Sequence, residues 1–202
     1  MGRPKAGEPE LARDVIIDAA IETLKADGIA ALSLARIAAS LNVQTPALYW
    51  YFRSKADVYT YMSEKIFRDV LDSLDPELVG RDLLWAFGCA MRHKQSSIRD
   101  AAKLISMAGV SDEVRTILVP GLLARVADRD ITASQARNYL TAIQSLSLGW
   151  AIFESNPATS EVMRRSGDGD IAYRDALARL VFGVVLSESP ALSGTDRPEP
   201  SS

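Results

Sequence analysis

Apolar residues recur at helical spacing almost from the start of the chain. Ile16, Ala19, Ala20, Thr23 and Leu24 follow an i, i+3, i+4, i+7, i+8 pattern that places them on one helix face, and Gly28 supplies a C-terminal stop. Ser33 reads as the cap of a short helix, "LARIAASL", with Ile37, Ala38 and Leu41 on one side. After the break "NVQ", Thr45 reads as an N-cap and Pro46 suits the first turn of a second short helix, "PALYWYF". Ser54 opens another, with Asp57 three residues on as a capping box, ahead of "VYTYMSEKIFRDVLDSL".

Beyond about residue 75 the predicted helices lengthen. Asp75 and Pro76 read as cap and first residue of "PELVGRDLLWAFGCAMRHK", and "SSIRDAAKLISMAG" ends at a glycine. Pro120-Gly121 predicts a kink or break in "SDEVRTILVPGLLARVAD". A long helix runs from the cap Thr132 to the stop at Asn156-Pro157, and "DIAYRDALARLVFGVVLSE" closes the series. No alternating strand pattern and no internal repeat appears. The pattern predicts an all-α chain with an N-terminal helix-turn-helix domain of three helices over residues 1–70. A larger helical domain follows over 71–188, and a Pro/Ser-rich tail over 189–202 reads as disordered.

Composition narrows the class. With 48% apolar residues, the 202-residue chain can bury a substantial core. The lone Cys89 excludes an internal disulfide and a cysteine zinc site. No apolar run approaches the roughly 18 residues of a membrane span, and the polar start does not resemble a signal peptide, so the expectation is a cytoplasmic protein with no membrane partner. Net charge is −3, which by itself argues against a nucleic-acid partner, but the charge is unevenly spread. Residues 1–68 carry 9 cationic and 8 acidic side chains, the remainder 14 and 18. Arg3 and Lys5 stand in the tail, and Arg53 and Lys55 follow an aromatic run, so local placement outweighs the total.

That run, Tyr49-Trp50-Tyr51, cannot be buried as a unit. At about 100° per residue, three consecutive rings point three ways. Leu48 and Phe52, four apart, take the inner face and leave Tyr49 and Trp50 outside, with Tyr51 to one side. Two short helices joined by a three-residue break form the layout of a helix-turn-helix whose second helix enters the major groove. Outer-face aromatics can meet phosphate and sugar there, and the N-terminus of the next helix with Lys55 attracts a phosphate. The competing reading, aromatics filling a core or a subunit contact, explains neither the short helix nor the adjacent charge.

"LSLARIAASLNVQTPALYWYFRSKADV" resembles the DNA-binding region of the TetR family of bacterial transcriptional repressors, whose pattern Leu-Tyr-X-His/Tyr-Phe followed by a short gap and Lys is matched by Leu48 to Phe52 and Lys55. The resemblance covers about residues 10–58. It implies that Thr45, Pro46 and Ala47 face base edges and that Tyr49, Tyr51 and Lys55 meet phosphate. Gln44, Trp50 and the start of the first short helix, Ala35 and Arg36, complete the expected DNA surface, with Arg3 and Lys5 as an arm that either enters a minor groove or touches nothing. A fainter similarity to the tetracycline repressor runs through "SSIRDAAKL" and the Thr132 helix, with Ile105 where that protein has its magnesium-binding histidine, so the resemblance does not imply a magnesium–tetracycline inducer. The family resemblance further implies a palindromic double-stranded operator, repression, a small effector and a homodimer.

The second half carries its own signals. Tyr139, Ile143, Leu146, Trp150 and Phe153 form a stripe on the Thr132 helix, and the last helix is apolar nearly all round, which asks for two buried faces. Leu146, Phe153, Leu177, Val181 and Val184 are the expected dimer contacts, in a two-fold four-helix bundle. A fully internal helix in a monomer is the competing reading. Trp85, Met91, His93, Lys103, Met107, Asn138, Gln144 and Trp150 are candidates to line a pocket for an apolar or amphipathic effector. Against an enzyme, His93 is the only histidine and has no evident nucleophile partner, and no phosphate loop or metal-ligand cluster is seen, so neither a cofactor nor a metal is expected. A helical adaptor that binds other proteins and not DNA is the alternative.

Overall fold

The computed structural model describes residues 11–165 and 167–183. Among them the regular structure is entirely helical: α1 (Arg13–Asp27), α2 (Leu34–Ser40), α3 (Thr45–Leu48), α4 (Lys55–Asp72), α5 (Gly80–Ser97), α6 (Ala101–Met107), α7 (Val119–Val126), α8 (Ala133–Ser155), α9 (Pro157–Arg165) and α10 (Gly169–Phe182). The all-α expectation holds.

Two apolar clusters organise the helices. The first gathers Ile16, Ala20 and Leu24 of α1, Ile37 of α2, Leu48 of α3, Phe52, and Val58, Met62 and Ile66 of α4. It also takes in Ile98, Ala101 and Leu104, from α6 and the residues just before it. The second contains Phe67 and Val70 of α4, Leu83, Leu84 and Phe87 of α5, Leu122 and Val126 of α7, Ile143 of α8, and Tyr173, Leu177 and Val181 of α10. Helix α4 therefore serves both clusters, one after the other along its length. Each fully buried side chain of this size stabilises by about 1.5–3 kcal/mol, so the two clusters dominate the folding energy.

Helices α5 and α10 approach closely at Gly88, where an added β-carbon would lie 2.7 Å from the Leu177 methyl carbons. The gap lets the buried Tyr173 hydroxyl donate to the Gly88 carbonyl at 2.9 Å, while it also pairs with Ser147 at 2.6 Å. Burial pushes the Tyr173 pKa up to about 12. Beside it, Arg92 of α5 grips Glu154 of α8 through two bonds of 2.6 and 2.7 Å and reaches Asp170 of α10 at 2.9 Å. These bonds tie α5, α8 and α10 together at one level.

Several predicted boundaries shift. Asp75 caps nothing helical; it closes a turn, accepting from the Glu77 amide at 2.9 Å, and α5 begins only at Gly80. Helix α5 then runs through "QSS" to Ser97, and the left-handed Asp100 marks the break before α6. Pro120-Gly121 does not interrupt the chain. Residues Val114–Leu118 widen into a π turn directly ahead of α7, which absorbs the missing proline N–H, so the helix continues through Pro120. Helix α9, amphipathic and without a buried residue, was not expected from the sequence pattern.

Candidate nucleic-acid interface and regulatory face

The turn between α2 and α3 is built by backbone geometry rather than by bulk. Ser33 caps α2, accepting from the Arg36 amide at 3.2 Å. At the other end Asn42 takes the left-handed conformation, φ 55°, and two reversed bonds close the helix: Asn42 N–H to Ala39 at 3.1 Å and Val43 N–H to Ala38 at 3.0 Å. This is a Schellman closure with asparagine in the glycine role, one of the few residues that tolerate it. It fixes the angle at which α3 leaves.

Helix α3 is shorter than "PALYWYF" suggests. Its regular part covers Thr45–Leu48, with Gln44 rather than Thr45 at the cap position, and tight turns carry the chain on to Phe52. Leu48 and Phe52 anchor the segment in the first core, as their spacing implies. The outer side is left to Trp50, 88% exposed, and Tyr49, 58% exposed, with Gln44 and Pro46 also exposed and Thr45 and Ala47 half-buried. Ala35 and Arg36 are exposed at the start of α2, Arg36 paired with Asp27 at 2.8 Å. Lys55 stands exposed in the first turn of α4, whose cap Ser54 accepts from the Asp57 amide at 3.2 Å; its ammonium lies 5.3 Å from the Tyr59 ring centre.

Tyr51 departs from expectation. It is half-buried and its hydroxyl donates to the Leu11 carbonyl, so it fastens the start of α1 to the aromatic run instead of offering a free donor outward. Arg3 and Lys5 lie outside the described residues. What the sequence did not announce is a tie that binds the start of α6 to the α1–α2 turn around the first cluster: the Ile29 amide donates to the Asp100 carboxylate at 3.0 Å, and Arg99 donates to the Ala26 carbonyl at 3.3 Å. Gly28 sits under this tie, where any β-carbon would fall 2.8 Å from the Asp100 carboxylate.

The eight effector candidates do not converge on one cavity. Met91 is 2% exposed and belongs to the second core, while Met107 and Gln144 face outward. Trp85 stacks at 5.9 Å on Phe182 under the Arg174 guanidinium. His93 edges a shallow pocket of about 180 Å³ with Cys89 and Tyr173, and Asn138 a cleft of about 240 Å³ with Tyr139 and Leu180. Burial pushes the Cys89 thiol up, away from the reactive thiolate form. Lys103 lines a separate cleft of about 650 Å³ and pairs with Asp100 at 3.1 Å. Trp150 packs edge-on against Tyr173 with its indole N–H buried and unpaired.

The expected dimer contacts divide in the same way. Leu177 and Val181 are fully buried in their own chain's core, so they cannot meet a partner, and Leu146 is half-buried against the same cluster. Leu177 fits inward at the level where Gly88 leaves room for it, and Val181 packs in the same core. Val184 lies outside the described residues. Phe153, 56% exposed, does face out, together with Ile152, Val162, Ile171 and Phe182. On the same helix as Phe153, an added β-carbon at Gly149 would meet nothing within 4 Å.

Comparison with known proteins agrees with this geometry. Residues 16–62 match the family model described as bacterial regulatory proteins, tetR family. A transcriptional regulator of the helix-turn-helix type from Saccharopolyspora erythraea is 29% identical over 150 residues, covering 71% of this chain, which spans 64% of that relative's length. The class C tetracycline repressor protein of Escherichia coli is 26% identical over 162 residues, 79% of this chain and 73% of the repressor. Among solved structures, BioQ with its double-stranded DNA operator superposes with a TM-score of 0.59 at 22% identity, over 86% of this chain and 98% of that one.

Proposed function

We propose, from the premise that this chain belongs to the tetR family of bacterial regulatory proteins and is a DNA-binding transcriptional regulator, that it is a homodimeric repressor released from a palindromic operator by a small amphipathic effector. The reading head covers residues 1–70 and the regulatory and dimerising half residues 71–188. Thr45, Pro46 and Ala47 approach base edges, while Tyr49, Trp50 and Lys55 meet the sugar-phosphate backbone. The observation that carries this reading is the exposed Tyr49-Trp50 pair, held at a fixed angle by the Asn42 closure and anchored from behind by Leu48 and Phe52. Among the described residues no partner accounts for an 88% exposed tryptophan at that place.

Support for the coupled half comes from α4, which runs from the DNA-facing Lys55 into the second core, and from the Asp100–Ile29 tie, which fastens the start of α6, from the later half of the chain, to the α1–α2 turn. In a dimer, two α3 helices must reach successive major grooves about 34–36 Å apart, so small rotations of the heads change affinity. The test is fluorescence anisotropy with DNA from upstream of the gene, at several salt concentrations. Specific binding whose logarithm falls linearly with log salt is expected, and Lys55→Ala should lower that slope by about 1. Salt-independent or absent binding would leave a helical protein-binding adaptor as the better reading.

A further inference from the structure

We infer that the cleft between the α1–α2 turn, α6 and the end of α8 binds a small molecule bearing a cis-amide edge (a lactam, cyclic imide or ureide), and that its occupation unlatches the head. The inference rests on the regulator reading above and gives its effector a place and a chemistry. At about 650 Å³ the cleft is of ligand size. Its walls come from both parts of the chain: Ile29 from the turn, Ala101 and Ala102 from α6, and Ala151 from α8. The three alanines leave room for a flat ring.

Gln95 of α5 stands in the same wall, 4% exposed, with its amide nitrogen and its amide oxygen both buried and without a hydrogen-bond partner. Native proteins rarely leave a carboxamide unmatched at both ends. A group that satisfies both ends must present an acceptor and a donor side by side, which is the edge of a cis-amide. Because the carboxamide can turn over, either order fits. A carboxylate offers no donor and an ammonium no acceptor. The charged groups around the cleft are already engaged, Glu154 by Arg92 and Lys103 by Asp100, which leaves Gln95 as the recognising group.

The cleft rim is the tie itself, since Asp100 and Arg99 both line it. In this arrangement the Gln95 amide atoms are shielded from solvent. A ligand can pair with them only as the α6 side gives way, so it binds the open arrangement better and shifts the balance towards it.

The test uses the full chain with uracil and succinimide as probes, and 1,3-dimethyluracil and N-methylsuccinimide as controls that cannot donate. Uracil and succinimide at millimolar concentration are expected to raise the melting temperature, and the methylated controls to leave it unchanged. Gln95→Leu should melt no lower than the parent without probe and respond to neither compound. In anisotropy titrations the responding probe should weaken upstream-DNA binding by about fivefold or more in the parent alone. No thermal response, or an equal response in Gln95→Leu, overturns the site. A thermal response with unchanged DNA affinity overturns the unlatching. A chain that binds no upstream DNA even without a probe fails the regulator reading instead, and the thermal arm still decides the site.

Discussion

Asp100 occupies a left-handed conformation, φ 56°, that few non-glycine residues accept, and from it the carboxylate reaches the Ile29 amide 71 residues away in sequence. That amide holds the Asp100 carboxyl below its usual range; burial opposes the shift, and Lys103 adds to it. A lowered native pKa contributes stability that is complete above the ordinary carboxylate value of about 3.9 and is lost as pH falls through the native value. Asp100→Ala should therefore cost on the order of 1–3 kcal/mol at pH 7, by leaving the amide unpaired and putting alanine in a left-handed site. Asp100→Asn, which keeps an acceptor and tolerates the backbone, should cost less. Urea unfolding at pH 7 and again below pH 4 checks the assignment: the gap between parent and alanine variant should narrow in acid, and an undiminished gap would assign the loss to backbone strain alone. Nothing in "SIRDAA" announces this role, because a carboxylate that pairs across such a separation leaves no periodic trace. Tyr51 is hidden for a related reason: helical spacing shows that its ring lies to one side of the aromatic run, but not that Leu11 offers a carbonyl to its hydroxyl.

Among the helices, those with both a periodic face and a chemical stop were legible. Helices α1, α2 and α8 end or begin where Gly28, Ser33 and Thr132 say they should, and Thr132 with Gln135 completes a full capping box. Boundaries set by packing were not: α5 starts at Gly80, since Asp75 is used by its own turn, and the π turn ahead of Pro120 rescues a helix that local rules would break. Helix α9 escaped because none of its residues is fully buried. The α2–α3 turn gives the sharpest test at this scale. Asn42→Gly should be neutral or slightly stabilising, whereas Asn42→Val forces a β-branched residue into φ near 55° and should cost roughly 1–2 kcal/mol. If the turn aims α3, Asn42→Val should also lower DNA affinity at temperatures where circular dichroism shows the chain folded. Unchanged affinity in the folded variant would mean that α3 holds its angle without the Asn42 closure.

Across the whole molecule, burial separates what folds the chain from what can join two chains. Val181→Asp places a charge in a fully buried site of the second core and should lower the melting temperature steeply, not merely dissociate subunits. Phe153→Glu changes an exposed ring on α8 and should leave the melting of the chain's own core largely intact while shifting the light-scattering mass from dimer to monomer. A dimer that survives Phe153→Glu together with Ile152→Glu would move the interface off α8. The packing of the first cluster also sets where the chain can be cut for chimeras. Ile98, Ala101 and Leu104 are built into the head's core, although they stand far beyond residue 70 in the chain. A transplant that carries residues 1–70 alone onto a foreign regulatory half would open a hole where those three side chains belong, and would set Gly28 against whatever residue the new host places opposite. The exchangeable unit in this protein is thus discontinuous, the first seventy residues together with the segment from Ile98 to Leu104, and chimeras cut to that outline should retain their melting temperature where linear grafts lose it.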